Sequence, residues 1–274
     1  MGNMGVAEDD GPLPGRPGRF FAIANGCRSV ASAGLRTLLD LLLPPTCIAC
    51  GHPTTEEDVL CPACWSATPF LEPPWCARLG RPFAYDLGPG ALCPEAIADP
   101  PVFDRARAAA AFAGPARDLV HGLKYGDRPA YARAMGRWMA RAGAELLAGE
   151  FVVVPVPLHR IRLWRRRFNQ AALLAKAVAE TAEAPLCLTA LQRIRSTRQQ
   201  VGLNADARAE NVRGAFQVTA EGRTAVVGRR VVLVDDVYTT GATVSACTLA
   251  LRRGGAVGVD VLTFARADGD NPLS

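Results

Sequence analysis

Thirteen residues near the C-terminal end, Val231-Val-Leu-Val-Asp235-Asp236-Val237-Tyr238-Thr239-Thr240-Gly241-Ala242-Thr243, constrain this chain more than any other stretch. A run of valine and leucine makes a strand buried on both faces, and such a strand belongs in a parallel sheet covered by helices on either side. The strand ends on two adjacent carboxylates, and a short Thr/Gly loop then opens a helix. Backbone N–H groups at that helix start and three threonine hydroxyls are suited to surround a phosphate, and Gly241 lets the backbone approach it closely. The carboxylates are not phosphate ligands. They suit the hydroxyls of a sugar, or a magnesium ion held directly or through water. Capping a helix alone needs one such residue, whereas residues 235–243 hold two acids, three threonines and a glycine.

Beyond residue 103 the rest of the chain follows the same grammar. Strands are predicted at 107–112, 151–155, 215–218, 230–234 and 257–264, and helices at 115–123, 129–147, 169–182 and 243–253. The alternation predicts an α/β domain over 103–268, a mostly parallel sheet flanked by helices, with ligands at the carboxyl ends of the strands. The loops after Pro155 and Val234 are therefore where a site is expected. No internal repeat is legible.

A chain of 274 residues leaves room for a small module ahead of that domain. Residues 1–27 read as a disordered arm, Gly/Pro-rich with an acidic run and without the basic start and apolar core of a secretory signal. Residues 28–43 place Val30, Leu35, Leu38, Leu39 and Leu42 near the spacing of an amphipathic helix, which Pro44-Pro45 stops. Residues 71–102, with several prolines and glycines, read as a linker or hood. The longest apolar stretch, 38–45, is broken by Asp40 and falls far short of the ~20 residues that cross a bilayer. No membrane span and a cytoplasmic location are expected.

Of nine cysteines, four form Cys47-Ile-Ala-Cys50 and Cys61-Pro-Ala-Cys64, two C-x2-C knuckles. Four thiolates paired on tight turns are what tetrahedral zinc requires, and a short segment with almost no core needs such a staple. A structural zinc site on residues 28–70 is expected, with a redox dithiol as the other reading. His52 reads as a loop histidine, because four cysteines already fill the shell. Cys76 and Cys93 keep no partner three residues on, and Cys27, Cys187 and Cys247 stand alone, so a second complete zinc site is not supported.

The net charge of +5 is unevenly spread. Residues 151–214 carry 11 basic against 4 acidic side chains, and an anionic partner is expected to dock there. Within them, His159, Arg160, Arg162, Trp164, Arg165, Arg166, Arg167 and Phe168 follow the strand that ends at Pro155. Five arginines in eight residues mark an anion site or a solvated face. Arg165, Arg166 and Arg167 can also follow a nucleic-acid backbone, with Trp164 and Phe168 as stacking candidates.

The thirteen-residue segment resembles the phosphoribosyl pyrophosphate (PRPP) signature of type I phosphoribosyltransferases. That resemblance implies Asp235 and Asp236 for the ribose hydroxyls, and Thr239, Thr240, Gly241, Ala242 and Thr243 for the 5′-phosphate. The succession of Cys47/Cys50/Cys61/Cys64, Leu123-Lys124-Tyr125, Val154-Pro-Val-Pro157-Leu-His159, Arg167-Phe168-Asn169-Gln170, Arg198-Gln199-Gln200, Arg208 with Asn211-Val212, and the signature itself resembles the ComF family over roughly residues 30–265. The resemblance implies a type I phosphoribosyltransferase-like domain preceded by a zinc ribbon, and Mg-PRPP or a related phosphorylated ribose as ligand. Phosphoribosyl transfer with pyrophosphate release is the implied reaction. Lys124, His159, Arg160 and Arg162 become candidates for pyrophosphate or substrate. Arg198, Gln199 and Arg208 lie on a stretch resembling the loop that closes over PRPP. Some family members are linked to natural transformation, so a non-catalytic protein handling single-stranded DNA and a PRPP-sensing regulator stand as alternatives. The sequence departs from the fullest family pattern by lacking a second pair of knuckles, with Cys76 and Cys93 as remnants. No nucleophilic triad is visible, and none is demanded: the anomeric carbon becomes cation-like as pyrophosphate leaves, and magnesium and positive charge on the leaving group supply much of the catalysis.

Overall fold

The computed structural model describes residues 44–125, 128, 130–158, 168–195 and 214–267. The arm expected at 1–27 and the helix at 28–43 lie outside them. The chain divides into two units, Met1–Pro45 and Thr46–Ser274, and the elements below all belong to the second.

Four strands, β1 (Ala106–Ala111), β2 (Val152–Pro155), β5 (Arg230–Tyr238) and β6 (Gly258–Arg266), form one sheet in the order β1-β6-β5-β2, every pair parallel. Alternation along β5 sends Val232 and Val234 to one apolar cluster and Val231 and Leu233 to the other. The first face is covered by α3 (Gly114–Tyr125), α4 (Tyr131–Ala142) and α5 (Gln170–Thr181), and the second by α7 (Ala242–Arg253). Two-sided burial is what the near-continuous apolar strands demand. Asn169 starts α5 by accepting from the Ala171 N–H at 3.1 Å and also donates to the Val156 carbonyl, at 3.0 Å, so one side chain ties the helix to the end of β2. No helix among the described residues is long and apolar enough to cross a membrane.

Three features depart from the sequence reading. β5 runs on through Asp235 and Asp236 to Tyr238, because β6 continues beside it to Arg266. The strand expected at 215–218 is β4 (Phe216–Val218), but it pairs antiparallel with β3 (Leu191–Arg193) outside the parallel sheet, and neither β3 nor the short helix α6 (Ala220–Val226) was foreseen. The helix expected over 129–147 ends instead at Ala142. Gly143 follows it, pressed so close to Leu262 that a Cβ there would fall 2.7 Å from that side chain.

An internal repeat is also present, contrary to expectation. In the first copy, the Cys47 N–H donates to the His52 carbonyl at 2.7 Å and the Gly51 N–H to the Cys47 carbonyl at 2.9 Å. In the second, Cys76 donates to Arg81 at 2.8 Å and Gly80 to Cys76 at 2.9 Å. Gly51 and Gly80 both have positive φ, +74° and +63°, which a tight knuckle needs and glycine supplies without strain. Cys61 caps α1 (Pro62–Ala67) and Cys93 caps α2 (Pro94–Ala98), each with proline in the first turn. The segment expected as a linker or hood thus carries a second copy of the ribbon. The first copy packs through Trp65, Phe70 and Trp138, whose rings lie 4.6–6.1 Å apart, and Trp138 reaches Phe264 of β6.

Candidate functional site

The carboxyl end of β2 lies beside β5, with Pro155 opposite Val234, and β5 runs on past it. Asp235 and Asp236 follow, half-buried, and Thr239 and Thr240 are exposed beyond them. Gly241 then starts α7 in the left-handed region, φ +75°, with no side chain capping the helix. The first turn of α7 therefore starts shortly after the two acids with no side-chain hydrogen bond from its N-cap residue, and a helix start of this kind offers backbone N–H groups to an anion. A Cβ at position 241 would fall 2.6 Å from the Tyr238 hydroxyl oxygen. Gly241→Ala therefore meets both a strained φ, costing on the order of 1–3 kcal/mol, and a collision. It is expected to lower the thermal midpoint by several degrees, read by calorimetry.

Lys124, from the last turn of α3, places Nζ 3.0 Å from Oδ2 of Asp236, with both side chains largely buried. The Asp236 N–H donates to Oδ1 of Asp235 at 2.9 Å. Burial pushes the Asp235 carboxyl up and the Asp236 charge adds to it. The Asp236 N–H and the charges of Lys124 and Arg193 offset this only in part, leaving it at about 7. Arg193, at the end of β3, is a basic group of this site that the sequence reading missed, since a three-residue strand leaves almost no pattern. Cys247 on α7 is buried, and its thiol is pushed up by that burial and by the charge of Asp235.

The raised Asp235 has a consequence for stability. Between its ordinary 3.8 and about 7 the folded protein holds a proton that the unfolded chain has released. The contribution of this group to stability is therefore greatest below the lower value and falls as pH rises through that window. Asp235→Asn, which has no proton to lose, is expected to remove that slope, read as the difference in urea midpoint between about pH 4 and about pH 8.

Of the other sequence candidates, His159, Arg160, Arg162, Trp164, Arg165, Arg166 and Arg167 lie outside the described residues, as do Arg198, Gln199 and Arg208. Pro157 and Leu158 are described and leave β2 beside β5. His121 lies on the surface of α3, its ring centroid 6.0 Å from that of Phe112.

Among the described residues one group of four metal-ligating side chains stands together: Cys47, Cys50, Cys61 and Cys64, with all Sγ atoms within 4.8 Å of one another. The Cys50 and Cys61 sulfurs are 3.7 Å apart. Tetrahedral zinc with Zn–S bonds of about 2.3 Å puts its sulfurs about 3.8 Å apart, so the donor set and spacing fit the ion. Burial opposes the Cys47 thiolate, but hydrogen bonds from the backbone of Cys50, Cys61 and Ala49 outweigh it and bring the thiol to about 6. His52 is exposed and outside the group.

Residues 38–97 match the double zinc ribbon domain family. Fold and cysteine geometry together define a zinc-ribbon protein built on a parallel α/β domain. Over 226 residues the chain is 32% identical to the DNA utilization protein YhgH of Escherichia coli K12, covering 80% of this chain and 89% of that protein. It is 29% identical over 228 residues to competence protein F of Haemophilus influenzae, covering 81% and 96%. The chain belongs to the ComF family. The orotate phosphoribosyltransferase of Aeropyrum pernix shares 21% identity, over 52% of this chain and 75% of that one, with a TM-score of 0.30, which is a distant likeness.

Proposed function

We propose that this chain binds PRPP with magnesium, or a related phosphorylated ribose, at the carboxyl edge of its sheet and transfers the phosphoribosyl group with release of pyrophosphate. The observation that carries the reading is the meeting of two carboxylates with an uncapped, glycine-started helix at the end of β5. In this reading Asp235 and Asp236 take the ribose hydroxyls, and Thr239, Thr240, Gly241, Ala242 and Thr243 take the 5′-phosphate. Magnesium, when bound with the ligand, neutralises charge on the departing pyrophosphate. Lys124 holds Asp236 in place and brings a cation to the pyrophosphate side. In the same reading His159, Arg160 and Arg162, which follow β2 in the chain, are the candidates for pyrophosphate or substrate, together with Arg198, Gln199 and Arg208. Thiolate ligands and a phosphorylated metabolite fit a reducing, cytoplasmic setting.

A thermal shift tests the ligand. PRPP and magnesium at about 100 times Kd should add about 2.7 kcal/mol of stability, and neither alone should match it. No shift would remove the reading. Pyrophosphate appearing when nucleobases or amines are added marks transfer, whereas binding without release favours a PRPP-sensing role.

The names of the relatives favour a second reading, in which the chain handles single-stranded DNA. Arg165, Arg166 and Arg167 would follow the backbone and Trp164 would stack on bases. The affinity should then fall steeply with salt, and removing those three charges should flatten the slope by about 2. Salt-insensitive or undetectable binding would reject it.

A further inference from the structure

The double zinc ribbon family implies a second metal in the second ribbon, and the residues there do not fit one. The positions matching Cys47, Cys50, Cys61 and Cys64 are Cys76, Leu79, Cys93 and Ala96, so two of four donors are carbon. All four side chains are buried in the apolar cluster on the α7 face of the sheet. The Cys76 sulfur instead accepts from the N–H groups of Leu79 and Cys93, at 3.4 and 3.3 Å.

What closes this knuckle is arginine. Arg107, buried in β1, donates to the Ala77 carbonyl at 3.2 Å. Arg266, buried at the end of β6, donates to the Leu79 carbonyl at 2.6 Å. The Arg266 guanidinium also lies 4.8 Å from the centre of the Tyr238 ring, and Phe103 meets that ring edge-on at 6.3 Å. Tyr238 is the last residue of β5, and its hydroxyl occupies the space where a Cβ of Gly241 would stand. A continuous chain of contacts therefore runs from the forsaken ligand position at Leu79, through Arg266 and Tyr238, to the glycine that starts α7.

We propose that the second ribbon is a metal-free buttress of the phosphate loop, and that Arg266 and Tyr238 are positioning residues that hold Gly241 and the start of α7 in place. The buttress stands on contacts alone; its consequence for ligand affinity rests on the proposed PRPP reading. Stacking of a desolvated guanidinium on tyrosine, with a charge-assisted bond to a carbonyl, is strong enough to fix a loop whose first residues are exposed.

The test uses the full chain, loaded with zinc. Metal analysis should give one zinc per chain, and two would overturn the metal-free second ribbon. Hydrogen exchange of the peptide spanning residues 239–243 should quicken about tenfold in Arg266→Met with zinc content unchanged. Arg266→Lys, which keeps a charged donor, should restore part of that protection. Tyr238→Phe, a milder change that leaves the ring under Arg266, should quicken the same peptide and leave residues 76–98 unaffected. Unchanged exchange at 239–243 in both Arg266→Met and Tyr238→Phe would overturn the buttress. PRPP affinity, read in the same variants, should fall in step with lost protection. If loop exchange responds and wild-type protein fails to bind PRPP, the ligand assignment falls and the buttress stands.

Discussion

Asp235→Asn combined with Asp236→Asn is expected to abolish detectable binding of PRPP with magnesium while leaving fold and zinc content intact. Each carboxylate hydrogen-bonded to a sugar hydroxyl contributes about 1.5–3 kcal/mol, so losing both costs on the order of a hundredfold to ten-thousandfold in affinity. The amides keep the shape of the acids, and the neighbouring Lys124 loses its ion pair at Asp236. The fold should persist, because relieving a buried carboxyl that its own burial and the charge of Asp236 disfavour offsets part of the cost of the lost Lys124 pair. Circular dichroism and metal analysis check the fold, and calorimetry checks the binding. Unchanged binding would sink the assignment of these residues to the ligand.

Cys61→Ser is expected to remove zinc from the chain altogether and unfold the first ribbon. Structural zinc contributes about 10–16 kcal/mol in small metal-dependent domains, and one missing thiolate forfeits most of it. Cys47, Ile48, Leu60 and Cys61 also belong to the apolar cluster shared with α3, α4 and α5, so their loss exposes one side of the sheet core. The tilted and edge-on rings of Trp65, Phe70 and Trp138 should separate, giving a red shift in tryptophan emission. Cys76→Ser should leave zinc content at its wild-type value. A drop in zinc on Cys76→Ser equal to that on Cys61→Ser would contradict the division of the two ribbons into a metal-bound and a metal-free one.

The parallel sheet was readable because apolar strands alternate with amphipathic helices, and the end of β5 was readable because acids, threonines and glycine are packed into nine residues. The first ribbon was readable for a similar reason: metal ligands must be cysteines at fixed spacing. The second ribbon kept the geometry and lost the chemistry, so its signal was confined to a cysteine followed four residues later by glycine, at Cys76 and Gly80, and to Cys93-Pro94 matching Cys61-Pro62. Leu79 and Ala96 gave no hint, since a buried leucine or alanine fits many places. Pairing across distant strands was equally silent. Nothing local in Val234-Asp235-Asp236 says that the strand continues, because the continuation depends on Arg266 lying opposite Tyr238. The meeting of Lys124 with Asp236, over a hundred residues apart, and the approach of Arg193 to Asp235 follow from the packing of α3 and β3 around the site.

The central claim, that the end of β5 is a site for a phosphorylated ribose, is tested most directly by calorimetric titration of the zinc-loaded chain with PRPP in the presence and absence of magnesium. The account predicts one molecule bound per chain and tighter binding with magnesium. It also predicts proton release below about pH 7 as Asp235 gives up its proton to meet the ligand. No heat at any magnesium concentration, or binding that survives in the Asp235→Asn/Asp236→Asn variant, would contradict it.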